Sequence, residues 1–267
     1  MSALFKTAFL AGMLLLMAAC SRNQIIKVNN GVGDLNNAPE ESKQDEKLDA
    51  AQIQTQLAAA LMQQGNMKDA LDHLQKAVGF DDKYAPAHTM LAILYEHTNQ
   101  LPQAEREYRV ALSVDPKDGG ANNNLGYFLC HHGQGKEGME YLKRALADPY
   151  YGTPAKADVN AGACLADMGD RTGAEAYLRK ALEIDPKGSD ALYEMARLQY
   201  ANGDGFRARG FLQRFEAQGQ ATPDSLLLGY EIETRLGDAD AARNYANRLS
   251  TQFPDSEQVR TLAGRSQ

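Results

Sequence analysis

Residues 91–116 read LAILYEHTNQLPQAEREYRVALSVDP. Leu91, Ala92 and Tyr95 fall on one side of a helix, and Ala104, Tyr108 and Ala111 fall on one side of another. Spacings of three and four residues give each stretch a single apolar face. Asn99 separates the two, in the left-handed position that ends a first helix. Asp115-Pro116 closes the second, because proline cannot continue a helix. Working outward, the same unit recurs as Gly65 with Ala70, Gly133 with Gly138, Gly169 with Ala174, Gly203 with Ala208 and Gly237 with Ala242. Residues 70, 104, 138, 174, 208 and 242 are spaced 34, 34, 36, 34 and 34 apart. A fixed period of this length is the mark of a stacked helical repeat.

The composition agrees. The 267 residues include no Trp, are 43% hydrophobic and are rich in Ala, which favours helices and excludes an all-β sandwich or barrel. Lys and Arg number 28 against 35 Asp and Glu, a net charge of −7. That balance argues against nucleic acid as a partner, which needs clustered cations.

The N-terminus, MSALFKTAFLAGMLLLMAAC, places Lys6 before an apolar run from Ala8 to Met17, and small residues before Cys20. The apolar run falls well short of the roughly 20 residues that cross a bilayer, so residues 1–19 are expected to be a secretory signal peptide. Cys20 is either incidental to an ordinary cleavage or the acceptor of a lipid. Met17-Ala18-Ala19-Cys20 resembles a bacterial lipobox, which implies diacylglycerol and palmitate chains on Cys20 and a near-permanent membrane anchor. Ser21, where Asp would retain the protein at the inner membrane, implies the outer membrane, with the protein facing the periplasm. Loss of residues 1–19 removes only Lys6, leaving 27 basic against 35 acidic residues. Residues 20–47, with Asn29-Asn30-Gly31, Pro39 and EESKQDEK, read as the lipidated end and a flexible tether.

From residue 48 on, the repeats resemble the tetratricopeptide family. That family has small residues at repeat positions 8 and 20 and a large one at 24. With repeats beginning at 51, 85, 119, 155, 189 and 223, position 8 is Ala58, Ala92, Gly126, Gly162, Ala196 and Tyr230. Position 24 is Leu74, Tyr108, Leu142, Leu178, Leu212 and Ala246, so the sixth repeat exchanges large for small. The resemblance implies an all-α, right-handed superhelical solenoid of six helix-turn-helix repeats over 48–256, followed by a C-terminal tail over 257–267.

Cys130 and Cys164 fall on the first helices of adjacent repeats, at repeat positions 12 and 10. In an oxidising compartment they are expected to pair, and the alternative is two buried thiols behaving as small hydrophobes. His131 and His132 follow Cys130, but consecutive helical residues diverge by about 100°, and Gln134 and Lys136 are poor metal ligands. Gly133-Gln134-Gly135-Lys136 lacks the spacing and the hydroxyl of a phosphate loop. His73, His88 and His97 are dispersed, and Asp81-Asp82 reads as turn capping. No catalytic, metal or cofactor site is expected, no small-molecule substrate, and the protein is read as a non-enzymatic monomer.

A more specific resemblance lies in the middle of the chain. NNNLGYFLC (122–130), ADPYY (147–151), NAGAC (160–164) and ALEIDP (181–186) are similar to the PilF/PilW-type lipoproteins of type IV pilus biogenesis. The resemblance extends to the lengthened connection at Asp148–Pro154 and implies a disulfide between Cys130 and Cys164. It also implies a pilotin, which binds the pilus secretin subunit and promotes its outer-membrane localisation and multimer assembly, and hence twitching motility. The alternative is a general periplasmic adaptor for envelope proteases or peptidoglycan enzymes. Positions 2, 5, 9, 12 and 13 of the first helices line the concave face in this fold. In the first three repeats they give Thr55, Ala59, Met62, Gln63, Thr89, Ile93, Glu96, His97, Asn123, Tyr127 and His131 as a partner-binding groove. Met62, Ile93 and Tyr127 are its apolar members, and the competing reading packs them within the solenoid wall.

Overall fold

A left-handed residue breaks the chain between each pair of helices. Gly65, Gly133, Gly169, Gly203 and Gly237 have φ between 78° and 84°, and Asn99 does the same at 57°. A side chain with a Cβ resists that conformation, so this one requirement sets the period read in the sequence. After the glycine, Asn66, Asp170, Asp204 and Asp238 cap the second helix, each side chain accepting a backbone N–H three residues on. Gln100 and Gln134 hold the same place in repeats two and three and make no such bond.

The computed structural model describes residues 40–219 and 221–265. Six helix pairs follow one another: α1 (Glu40–Gln63) with α2 (Met67–Phe80), α3 (Ala85–His97) with α4 (Leu101–Val114), α5 (Gly119–His131) with α6 (Gly135–Ala147), α7 (Pro154–Asp167) with α8 (Arg171–Ile184), α9 (Ser189–Ala201) with α10 (Gly205–Glu216), and α11 (Pro223–Leu236) with α12 (Ala239–Gln252). α13 (Glu257–Arg265) completes the order. Every element among the described residues is a helix, and none is long and apolar enough to cross a membrane. The signal peptide expected over 1–19, Cys20 and the tether as far as residue 39 lie outside the described residues.

Between repeats, Asp81, Asp115, Asp148 and Asp185 each turn a carboxylate oxygen back to the amide two residues on, at 2.9–3.0 Å. The core is the seam between first and second helices. Ala70, Ala104, Ala174 and Ala208 are wholly buried against Ala58, Ala92, Gly162 and Ala196, and Leu74, Leu178 and Leu212 fill the space beside them. Small residues at the crossing let the backbones approach, and large neighbours close the gap.

Three expectations need correction. The tether ends early, because α1 begins at Glu40, eight residues before the expected boundary. EESKQDEK is charge-dense, but Glu, Lys and Gln lose little side-chain freedom in a helix. The supposed tail over 257–267 is the helix α13 as far as Arg265, with Leu262 buried beside Leu249 in the last core cluster. In repeat six the small and large partners are Gly229 and Tyr245, one residue earlier than Tyr230 and Ala246. A Cβ on Gly229 would overlap the Tyr245 ring.

Candidate functional site

The first helices of successive repeats present their polar faces side by side and leave a cleft on each side of α9. The first, of about 580 Å³, is lined by Ile93, Glu96 and His97 of α3, Asn123, Asn124 and Tyr127 of α5, Lys156 and Asn160 of α7, and Asp190 of α9, with Tyr108 reaching in from α4. The second, of about 450 Å³, includes Asp167 of α7, Tyr193, Glu194, Arg197 and Tyr200 of α9, and Asp224, Leu227 and Glu231 of α11.

Of the eleven groove residues read from the sequence, Ile93, Glu96, His97, Asn123 and Tyr127 line the first cleft. His131 stacks on Tyr127 with ring centroids 4.3 Å apart. Ala59, Gln63 and Thr89 lie outside both clefts, Gln63 exposed and the other two half-buried. Thr55 is a correction: it is buried, and its hydroxyl donates to the Ala51 carbonyl at 2.8 Å, so it offers nothing to a partner. Met62 and Ile93 are half-buried against the cores of repeats one and two, and they serve the wall as much as the groove. Tyr127 is 39% exposed and is the apolar member most open to a partner.

Lys156, Asp190, Tyr193, Arg197, Asp224, Leu227 and Glu231 were not among the expected residues. They occupy positions 2, 5 and 9 of repeats four to six, the positions already used for repeats one to three. The signal was therefore present in the sequence, and extending the rule along the chain recovers them.

Asn123 is almost wholly buried, and its side-chain oxygen accepts a 2.9 Å hydrogen bond from Asn160 Nδ2. This amide pair joins α5 to α7 across the groove floor. Tyr108 donates its hydroxyl to Glu96 at 3.1 Å, and Glu96 also lies 3.8 Å from His132 Nε2. Burial, together with the charge of Glu96, pushes the Tyr108 phenol well above the ordinary tyrosine range. The Tyr127 phenol is raised as well, by burial and then by Glu96, Glu194 and Asp190. In the second cleft burial and then Asp224 push Tyr193 up to about 12. Burial raises the Glu194 carboxyl, although Arg197 opposes it. Burial works against the Arg197 charge, but Glu194 and Asp167 lift its guanidinium above the usual range.

The first cleft rests on a covalent link. Cys130 and Cys164 are joined, with Cα atoms 5.4 Å apart, tying α5 to α7. The bridge explains the imperfect third copy of the repeat. A Cβ on Gly138 would lie 2.6 Å from Cys130 Sγ and 2.7 Å from the Gly126 carbonyl oxygen, so the alanine usual at this place does not fit. The lengthened connection is held too: Asp148 accepts the Gly119 amide at 2.9 Å, and Tyr151 lies over Gly119, where no Cβ could stand. Among the described residues no three His, Cys, Asp or Glu side chains converge as a metal site.

Sequence and fold comparisons give the same answer. The chain matches the tetratricopeptide repeat family over residues 61–119 and 165–228. It is 30% identical to the type IV pilus assembly protein PilF of Pseudomonas aeruginosa, over 84% of this chain and 88% of that protein. The chain belongs to the PilF/PilW-type family of tetratricopeptide-repeat proteins of type IV pilus biogenesis. A crystal structure of PilW, described as a widely conserved type IV pilus biogenesis factor, superposes with a TM-score of 0.73 at 34% identity, covering 80% of this chain and 98% of that one. The P. aeruginosa PilF structure gives 0.69 at 29% identity, covering 83% and 99%. The matched length takes in nearly all of each PilF/PilW-type structure. A helical-repeat solenoid acts through protein–protein contacts, and pilus biogenesis is the setting of these.

Proposed function

We propose that this protein is a pilotin: an outer-membrane lipoprotein that holds a segment of the type IV pilus secretin in its groove and promotes secretin localisation and multimer assembly. The observation that carries the reading is similarity to PilF over 84% of this chain and to PilW over 80%, two proteins of pilus biogenesis, with a groove of partner-binding size along the first helices. The mechanism needs no chemistry on the client. Lipid on Cys20 takes the protein along the lipoprotein sorting route to the outer membrane, where it faces the periplasm. A client bound in the groove travels with it, and the chain between Cys20 and α1 keeps groove and bilayer at high effective concentration.

Fractionation of membranes from a strain lacking the protein, with blotting for detergent-resistant secretin multimers, tests this reading. Loss of multimers, with monomer accumulating in the inner membrane, is the expected result. Normal multimers in the outer membrane overturn it and leave the adaptor role for other envelope proteins. Cys20→Ser, which removes the lipid acceptor, is expected to displace both proteins from the outer-membrane fraction.

A further inference from the structure

Each first helix turns an apolar face toward the repeat before it. In repeat two, Ala87, Leu91 and Leu94, at repeat positions 3, 7 and 10, are buried with Ala58, Leu74 and Ala77 of repeat one. In repeat five, Met195 and Leu198, at positions 7 and 10, are buried with Ala174 and Leu178 of repeat four. Repeat one keeps the same face apolar, with Ile53, Leu57 and Ala60 at positions 3, 7 and 10. Among the described residues nothing covers it: Ile53 is 55% exposed, Leu57 is 46% exposed, and Ala60 is exposed as well. The other end of the solenoid is finished differently. There α13 turns Val259 and Leu262 onto the last core cluster and leaves Glu257, Arg260 and Thr261 exposed. A terminal repeat ordinarily carries a polar outer face, a rule that α13 meets and α1 breaks.

An exposed apolar face marks a docking surface, and charge narrows what docks on this one. From Ala50 to Met67 no side chain is ionisable, in a chain that is 24% charged with a net charge of −7. Two copies of an acidic protein repel each other unless they meet where neither carries charge. An isologous contact also requires a face that complements itself. Aliphatic side chains do so, and so does the exposed Gln56 amide, which both donates and accepts. Asp45, Glu46 and Asp49 precede the neutral stretch. A parallel pair of helices would set these acids against one another. An antiparallel pair centred on Leu57 instead carries them past the end of the other α1, which stops at Gln63. Head-to-tail stacking is closed off, because α13 covers the opposite end. We propose that α1 is a self-association face, on which a second copy of this chain docks its own α1 antiparallel through Ile53, Leu57 and Ala60. The pair departs from the monomer expected from the sequence. Its face is separate from both clefts, so two open grooves are brought together at high effective concentration.

Cross-linking of the full chain in the cells that make it is the test. Cys130 and Cys164 are bridged, so Gln56→Cys adds a thiol at the edge of the face and leaves its apolar residues in place. A short bis-maleimide is expected to give a covalent dimer of twice the chain mass. The parent protein and Asp240→Cys, at an exposed site on α12, should give none. Ile53→Glu with Leu57→Glu, in the Gln56→Cys background, should lower the dimer yield about tenfold, because like charges then face each other across the pair. Both residues are exposed, and helical circular dichroism checks that the fold survives. Ala60→Glu, which keeps both large residues, should lower the yield as well. No dimer from Gln56→Cys, an adduct with a different protein, or a yield that the glutamates leave unchanged overturns the inference. A lower melting temperature in the glutamate variant, without any dimer, would mean that the face is covered from within the same chain and overturns it too. The assay reads no secretin, so failure here is separable from failure of the pilotin reading, which the multimer blot decides alone.

Discussion

The junction between repeats three and four and the junction between repeats five and six do the same job with opposite means. At the first, Gly135 of α6 sits where a Cβ would meet Met168 and come within 3.6 Å of Cys164 Sγ, and a disulfide crosses from α5 to α7. At the second, bulk replaces proximity: Leu212, Phe215, Leu226, Ile232, Tyr245 and Leu249 form one cluster, and Arg209 forks onto the buried Glu233 carboxylate. Glycine-lined contacts leave little apolar area to bury, and a covalent link compensates by limiting the unfolded chain. The stapled junction lies by the first cleft, and the apolar junction lies by the second.

The largest effect should therefore come from the side without a staple. Leu212→Ala removes a side chain that is 1% exposed, in a cluster with no covalent support. A loss of about 3–4 kcal/mol is expected in chemical denaturation. A loss under about 1 kcal/mol would mean that the cluster relaxes to fill the hole. Next comes Cys130→Ser with Cys164→Ser. The loop between the cysteines spans 34 residues, and its release should cost about 3 kcal/mol, with repeats one to four unfolding first in hydrogen exchange. Uniform loss of protection would show instead that the staple serves the whole solenoid.

What was legible beforehand follows the same division. The 34-residue period, the helix pairs and the turns came from residues whose backbone demands are local: a glycine at positive φ, a proline after a carboxylate, an alanine at a crossing. Gly138 looked like a flawed copy of the repeat, because what excludes alanine there is a sulfur atom brought in from the neighbouring helix. Repeat six misled for a related reason: Gly229 and Tyr245 keep the small–large pairing but shift it by one residue, which a fixed register cannot see. The groove was legible where the position rule was applied and invisible where it stopped. Thr55, whose hydroxyl turns back on its own helix, and Ala59, Gln63 and Thr89, which lie outside both clefts, were over-read by the rule, and Asn124, Asn160 and Glu194 at position 6 lay beyond it.

Gly138→Ala joins the two arguments. Alanine is the residue at this place in the other five repeats, yet its methyl would press on Cys130 Sγ and on the Gly126 carbonyl. A cost of about 2 kcal/mol is expected, despite the better helix propensity of alanine. In the background of the two serine substitutions the cost should fall by about half, because one of the two obstacles has become smaller. Equal costs in both backgrounds would place the obstacle in the backbone alone.

The smallest effect appears only at high pH, and it separates the junctions by titration rather than by mutation. The Tyr193 phenol, packed on Phe215 beside the second cleft, is pushed up to about 12 by burial and then by Asp224. An unfolded chain has an ordinary phenol near 10. A folded pKa above the unfolded one means that the native state holds the proton more tightly. The associated stability is complete below about pH 10 and is lost as pH rises from there through 12. Wild-type protein should lose on the order of 1–2 kcal/mol over that window from this group. Tyr193→Phe keeps the ring on Phe215 and removes the titration, so its stability should fall less steeply between pH 10 and 12. The serine double variant, weakened at the other junction, should retain the full alkaline slope. An unchanged slope in Tyr193→Phe would mean that water reaches the phenol freely and that the packing on Phe215 does not desolvate it.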